Sequence, residues 1–170
     1  MITKIKENVY SIEFSKFGSI VYLIQLDNEN ILIDTGAFDN RQELINSLKQ
    51  LKLAPKDINL LILTHRHYDH IENIEIFLNA KIYGSKEDFQ EQNIIDIGEL
   101  KIKEFKIIKT PGHTKGSFCI LYQNILFSGD TIFHNGYIGR TDFPESNHQD
   151  MINSLEKLKK VKFKLLCPGH

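Results

Sequence analysis

Cysteine is scarce in this sequence, with two residues, Cys119 and Cys167, in a chain of 170. Two thiols cannot staple a domain of this size, and both lie in apolar, strand-like stretches. Buried free thiols are therefore expected rather than a disulfide framework. Nor is there an excess of either charge: Lys and Arg number 21 against 22 Asp and Glu. A chain so balanced lacks the basic face that phosphate binding requires, which argues against nucleic acid as the main partner. The lysines at 101–106 and 157–162 alternate with apolar residues and read as solvated strand and helix faces. Long apolar runs are missing, as is the charged-then-apolar start of a secretion signal, so no membrane association and a cytoplasmic location are expected. The sequence has no repeats and no low-complexity segment. What remains is an ordinary soluble composition, 41% hydrophobic and 25% charged, over a length that suits one domain with its own core.

The chain is organised around Leu60-Leu61-Ile62-Leu63-Thr64-His65-Arg66-His67-Tyr68-Asp69-His70. Four apolar residues without alternation predict a short strand buried on both faces. From Ile71 to Leu78 apolar residues recur three and four apart, which predicts a helix. The histidines thus fall at a strand-to-helix turn, the carboxyl end of a strand, where open α/β architectures place ligands. His65 and His67, two apart, can converge from one side of an extended piece, while Asp69 and His70 point elsewhere. Two adjacent metal positions suit that pattern better than one.

Upstream, strands are expected over residues 2–5, 9–14, 19–26 and 31–34, with turns at Gly18 and 27–30. Residues 41–51 read as a helix, with Asn40 as its cap and Glu43 completing a capping box. Downstream, a strand at 81–84 precedes a polar stretch at 85–93 that reads as a helical turn. Residues 94–108 read as strands with a hairpin turn at Gly98-Glu99. Residues 118–122 and 125–127 form a hairpin around Gln123-Asn124. A loop of about fifteen residues follows Asp130, long enough that function is its usual explanation. Asn147 caps a helix through Leu158, and 163–166 is the last strand. So many hairpin-linked strands exclude a purely parallel sheet and predict two packed sheets with helices on their outer faces.

Three more residues share the setting of the histidine cluster. His113 follows Pro-Gly, Asp130 follows Ser-Gly and His170 follows Pro-Gly, each after a strand. Small or ring-locked residues there turn the backbone tightly and expose the next side chain at a sheet edge. Five histidines and two aspartates suit zinc, iron or manganese without any thiolate. Seven ligands exceed the needs of one catalytic ion, which implies two, with Asp130 as the natural bridge.

The stretch 64–70 resembles the T-H-x-H-x-D-H signature of the metallo-β-lactamase superfamily. Residues 111–117 (PGHTKGS), 127–133 (FSGDTIF) and 168–170 (PGH) resemble its later motifs in the right order, and Gly139-Arg140-Thr141-Asp142-Phe143-Pro144 resembles the glyoxalase II-like branch, in particular its single-domain members. The resemblance spans residues 20–170. It implies an αββα sandwich of two mixed sheets in one domain over 1–170, with the site at one edge. It also implies that His65, His67 and His113 hold one divalent metal ion and Asp69, His70 and His170 a second. Asp130 would bridge them, and a hydroxide between the metals would be the nucleophile. Two zinc ions are expected, with iron or manganese as alternatives. Asp34 is expected to support the site, and Arg140 and Asp142 to anchor the loop after Asp130. His134 and His148 match no ligand position, and Cys167 is left in the core. Members with a C-terminal helical domain use it to grip glutathione, and this chain lacks that domain. It stops at His170 where relatives continue through a further helix, so the expectation includes truncation at that end.

The activity expected is hydrolysis of a small acyl thioester, with Asp69 orienting the hydroxide and relaying its proton. An alternative within the same fold is a persulfide dioxygenase with one iron on two histidines and an aspartate, here His65 or His67 with His113 and Asp130. Hydrolysis of another small ester or lactone is a further alternative. Nucleic-acid processing would need a gripping insertion and a basic face that the sequence lacks. A relative that only binds would be expected to have lost ligands, and none is missing. The sequence leaves the oligomeric state open.

Overall fold

The computed structural model describes residues 1–26, 28–91 and 93–170. Asp27, in the expected turn at 27–30, and Gln92, in the polar stretch at 85–93, lie outside the described residues. The described residues form eleven strands in two mixed sheets, one of seven strands and one of four. By contacts the chain divides into two compact units, Met1–Leu63 with His67–Tyr83, and Thr64–Arg66 with Gly84–His170.

The first unit opens on the expected meander. Strands β1 (Ile2–Lys6), β2 (Val9–Ile12), β3 (Val21–Leu26) and β4 (Glu29–Ile33) pair antiparallel in sequence order. Helix α1 (Arg41–Gln50) then carries the chain across to β5 (Leu60–Ile62), which runs parallel to β4 on one side and to β6 (Lys81–Gly84) on the other. Neighbours on both sides explain the unalternated run, for Leu61, Ile62 and Leu63 are fully buried. Leu44, Ser47 and Leu48, at helical spacing, form the buried face of α1.

Two expectations fail in this unit. Asn40 does not cap α1. A 3-10 turn at Phe38–Asn40 runs straight into the helix, so Asn40 already has helical angles, φ −92 and ψ −4, and makes no capping bond. Its amide donates instead to the Phe17 carbonyl at 3.0 Å, and Glu43 accepts the backbone N–H and the hydroxyl of Ser15. Nor does a helix cover 71–78. One turn, α2 (Tyr68–Ile71), is followed by a 3-10 turn at Ile74–Ile76. The His70 carbonyl is taken by Thr35, whose N–H donates at 2.7 Å and whose hydroxyl donates at 2.9 Å. Asn73, fully buried, turns its amide onto the carbonyls of Thr35 and Ala37 at 2.8 and 2.9 Å. These bonds from a distant loop replace the helical ones.

The second unit holds β7 (Ile94–Asp96), β8 (Phe105–Lys109), β9 (Phe118–Tyr122), β10 (Ile125–Gly129), α3 (His148–Leu158) and β11 (Leu165–Pro168). The smaller sheet has the order β11-β10-β9-β8, antiparallel except for the parallel β10–β11 pair. The β9–β10 hairpin turns at Gln123-Asn124 as expected, with Gln123 at φ 54. The expected hairpin at 98–99 is not formed, because β7 belongs to the larger sheet and β8 to the smaller. Asp96 redirects the chain by accepting the N–H groups of Gly98 and Lys86 at 2.8 and 3.1 Å. The last strand lies two residues later than expected, set by pairing of Leu165 with Ile125 and of Cys167 with Phe127. Asn147 caps α3 as expected, its side chain accepting the Asp150 N–H at 3.0 Å.

Ile108, Cys119, Leu126 and Leu158 form a buried cluster between α3 and this sheet. Both cysteines are free and buried. Burial pushes the Cys119 thiol up to about 11 and the Cys167 thiol to about 12, so each stays protonated. No helix of the described residues is long and apolar enough to cross a membrane.

Candidate metal centre

The second unit gathers His65, His113, Asp130 and His170. His65 is buried, its Nδ1 3.1 Å from the Thr64 hydroxyl, and its ring stands edge-on to that of His113 with centroids 4.9 Å apart. His113 leaves the turn Pro111-Gly112. Gly112 has φ +145, and a Cβ there would lie 2.5 Å from the Met151 backbone of α3, so only glycine fits. Gly129 is equally constrained at φ +48, with a Cβ position 2.8 Å from the Thr64 hydroxyl, and it aims Asp130. His170 is brought in by the Gly169 N–H, which donates to the Gly129 carbonyl at 2.8 Å.

Asp130 Oδ2 lies 3.4 Å from His113 Nε2 and 3.6 Å from His170 Nε2. His113 Nδ1 is 2.8 Å from the Arg140 carbonyl. A carbonyl only accepts, so Nδ1 carries a proton, and in the neutral ring Nε2 presents its lone pair toward the carboxylate. A charged hydrogen bond between them would close to about 2.7–2.9 Å. Two ligand atoms on one tetrahedral ion, each at ~2.0–2.2 Å from it, stand about 3.4 Å apart. The donor set therefore fits a divalent cation, with one carboxylate oxygen facing two imidazoles.

The first unit holds His67, Asp69 and His70. His67 precedes α2 in extended conformation, φ −67 and ψ 144, and is half-buried, whereas Asp69 and His70 are buried within the helix. His70 Nδ1 is 2.8 Å from Asp34 Oδ2, and both side chains are almost completely buried. The carboxylate accepts, so here too Nδ1 carries a proton, and the neutral ring would offer Nε2 as the ligand atom. An imidazole oriented in this way by a carboxylate is the usual companion of a metal site. Asp34 adopts φ 60, a left-handed conformation that aspartate tolerates better than most residues. Backbone bonds from Ser19 to the Asp69 carbonyl, 3.1 Å, and from Thr35 to that of His70, 2.7 Å, fix α2.

Two contributors to this arrangement carry little signal in the sequence. The Thr64 hydroxyl beside His65 was legible only as part of a motif. The Arg140 carbonyl that sets the His113 tautomer is a backbone atom and leaves no residue-type signal. Arg140 itself forms a two-pronged pair with Asp142 at 2.9 and 2.8 Å and lies over the Phe143 ring, 4.4 Å from its centre. That pair holds the Asp142 carboxyl below and the guanidinium above their ordinary ranges, and it pins the segment whose carbonyl meets His113. His148 bonds the Thr141 hydroxyl at 3.0 Å at the start of α3, and His134 is exposed in a 3-10 turn.

The chain matches the model of the metallo-β-lactamase superfamily over residues 16–87 and 80–170. It belongs to that superfamily and has its αββα fold of two mixed sheets. It is similar to a probable metallo-hydrolase of Methanocaldococcus jannaschii, 40% identical over 133 residues, covering 78% of this chain and 65% of that protein. It is also similar to the hydroxyacylglutathione hydrolase of Wigglesworthia glossinidia brevipalpis, 33% identical over 172 residues, covering 96% of this chain and 65% of that protein. The chain thus spans 65% of the length of each. Among solved structures it is similar to TTHA1623 in a di-iron-bound form, with TM-score 0.77 and 21% identity, covering 89% of this chain and 87% of the other, a likeness of fold.

Proposed function

We propose that the chain is a metal-dependent hydrolase of small acyl thioesters, working as a single domain in the cytoplasm without nucleic-acid or membrane partners. His65, His67 and His113 would hold one divalent cation and Asp69, His70 and His170 a second, with Asp130 serving both. Zinc is the expected metal, with iron or manganese as alternatives. The observation that carries this reading is the Asp130 oxygen 3.4 and 3.6 Å from two imidazole nitrogens, one of which presents a lone pair toward it. Support also comes from the similarity to a hydroxyacylglutathione hydrolase at 33% identity.

When bound, two cations lower the pKa of a shared water and stabilise the developing oxyanion, so no serine or cysteine nucleophile is needed. The protein's own groups do the positioning. Arg140 and Asp34 fix which nitrogens of His113 and His70 are available. Asp69, buried at the first turn of α2, would help hold the metal and is placed to accept a proton from water. The two thiols, raised to about 11 and about 12, are unsuited to nucleophilic attack at neutral pH.

One observation favours a second reading: His65, His113 and Asp130 lie together in one unit, enough for a single iron and persulfide oxidation. Metal analysis of the purified protein, run beside a thioester panel and oxygen uptake with a persulfide, separates the two. Two ions per chain and hydrolysis without oxygen consumption are expected. One iron with persulfide-dependent oxygen uptake would replace this reading with the other.

A further inference from the structure

The polar stretch after β6 contains a buried carboxylate that the site described so far does not use. Asp88 is 7% exposed. It sits on a turn closed by its own N–H and that of Phe89 on the Ser85 carbonyl, at 3.0 and 2.9 Å. Phe89 anchors this turn: it is 3% exposed and packs so closely on Gly84 that a Cβ there would lie 2.7 Å from the ring. Asp88 is therefore held by the core rather than swinging in solvent.

Both oxygens of Asp88 are aimed at the loop that follows His113. Oδ2 accepts the Thr114 hydroxyl at 2.6 Å, and Oδ1 accepts the Gly116 N–H at 2.8 Å. The Ser117 hydroxyl completes the knot, 2.7 Å from that of Thr114 and accepting the Thr114 N–H at 3.1 Å. Thr114 and Ser117 are 1% and 5% exposed, so these bonds have little water to compete with them. A Cβ on Gly116 would stand 2.5 Å from the Asp88 carboxyl carbon. Glycine at 116 is thus required by Asp88 itself, since the position is not among those with positive φ.

We infer that Asp88 is a positioning residue for His113: through Thr114 and Gly116 it fixes the backbone that presents the imidazole, and so sets the affinity of the metal which His113 holds. The Arg140 carbonyl fixes the rotation of the ring, and Asp88 fixes the place from which the ring projects. This rests on the metal reading proposed above.

The test is cobalt(II) and zinc titration of metal-free protein, followed by absorption and by chelator competition, with the thermal midpoint of each metal-free variant measured alongside. Asp88→Asn and Thr114→Val, which remove the charge or the hydroxyl at nearly constant volume, are expected to weaken one of the two ions at least tenfold. Thr114→Ser, which keeps the hydroxyl, is expected to bind like wild type. Gly116→Ala is expected to weaken the same ion, and to cost little more once Asp88→Ala has opened the space. Folded Asp88→Asn and Thr114→Val proteins with wild-type affinity for both ions would overturn the inference and leave the metal reading intact. A wild-type protein that binds neither ion would overturn both. Should Asp88→Asn fail to fold, Thr114→Val against Thr114→Ser decides alone.

Discussion

Replacing Asn73 by Ala tests the account of why α2 stops after one turn. The residue is fully buried. Its amide nitrogen lies 2.8, 3.3 and 2.9 Å from the carbonyls of Thr35, Gly36 and Ala37, and its oxygen accepts the Arg41 Nε–H at 2.9 Å. Two N–H protons cannot serve three acceptors equally, so the loss amounts to two good bonds and one shared contact. A buried acceptor left unmatched costs about 1–3 kcal/mol. Arg41 is partly exposed and can turn to water. The sum, less some side-chain entropy regained, is about 2–5 kcal/mol, a large fraction of the roughly 5–15 kcal/mol of a typical domain. With a urea slope of about 2 kcal/mol per molar, the unfolding midpoint should fall by roughly 1–2.5 M. Asn73→Asp should be at least as damaging, because it turns a donor facing carbonyls into an acceptor. A midpoint for Asn73→Ala within about 0.3 M of wild type would show that the loop at 35–37 and the end of α2 are held by something else.

Two further predictions concern the buried titratable groups. Cys119 rises from 9.0 to about 11 on burial, so folding favours its neutral form. The resulting stability is fully present below pH 9 and lost as the pH climbs through about 11, amounting to at most about 3 kcal/mol. Cys119→Ala should flatten the fall in unfolding free energy over that window, and a slope identical to wild type would count against the burial argument. Asp34→Asn keeps a side chain suited to φ 60 but removes the charge behind His70. It should weaken metal binding by about tenfold or more in chelator competition while the thermal midpoint of the metal-free protein changes little. Unchanged metal affinity would mean that the Asp34–His70 bond serves the fold alone.

Where local pattern decides, the sequence could be read directly. The unalternated run at 60–63, the turn at 123–124, the Asn147 cap and the Pro-Gly or Ser-Gly steps before His113, Asp130 and His170 all use residues whose conformational preferences suffice. Where a distant partner decides, it could not. Glu43 is diverted from a capping box by Ser15, 28 positions away. The apolar spacing of 71–78 is overridden by Thr35 and Asn73. The strands at 94–108 look like a hairpin because sheet membership is not encoded in the few residues between them. The site follows the same division. Its imidazoles and carboxylates announce themselves by type and spacing, whereas the Arg140 carbonyl and the Asp88 clamp depend on tertiary contacts, and a helical turn at 85–93 does not by itself mark Asp88.

Asp130 is the side chain proposed to serve two metal ions in a hydrolase. This role is tested most directly by comparing wild type with Asp130→Ala for metal content after saturation and desalting, and for thioester hydrolysis on the same samples. Two ions per chain and hydrolysis are expected in wild type, with both ions weakened and hydrolysis abolished in the variant. Hydrolysis close to wild type in Asp130→Ala, or loss of one ion with the other held at full affinity, would contradict it.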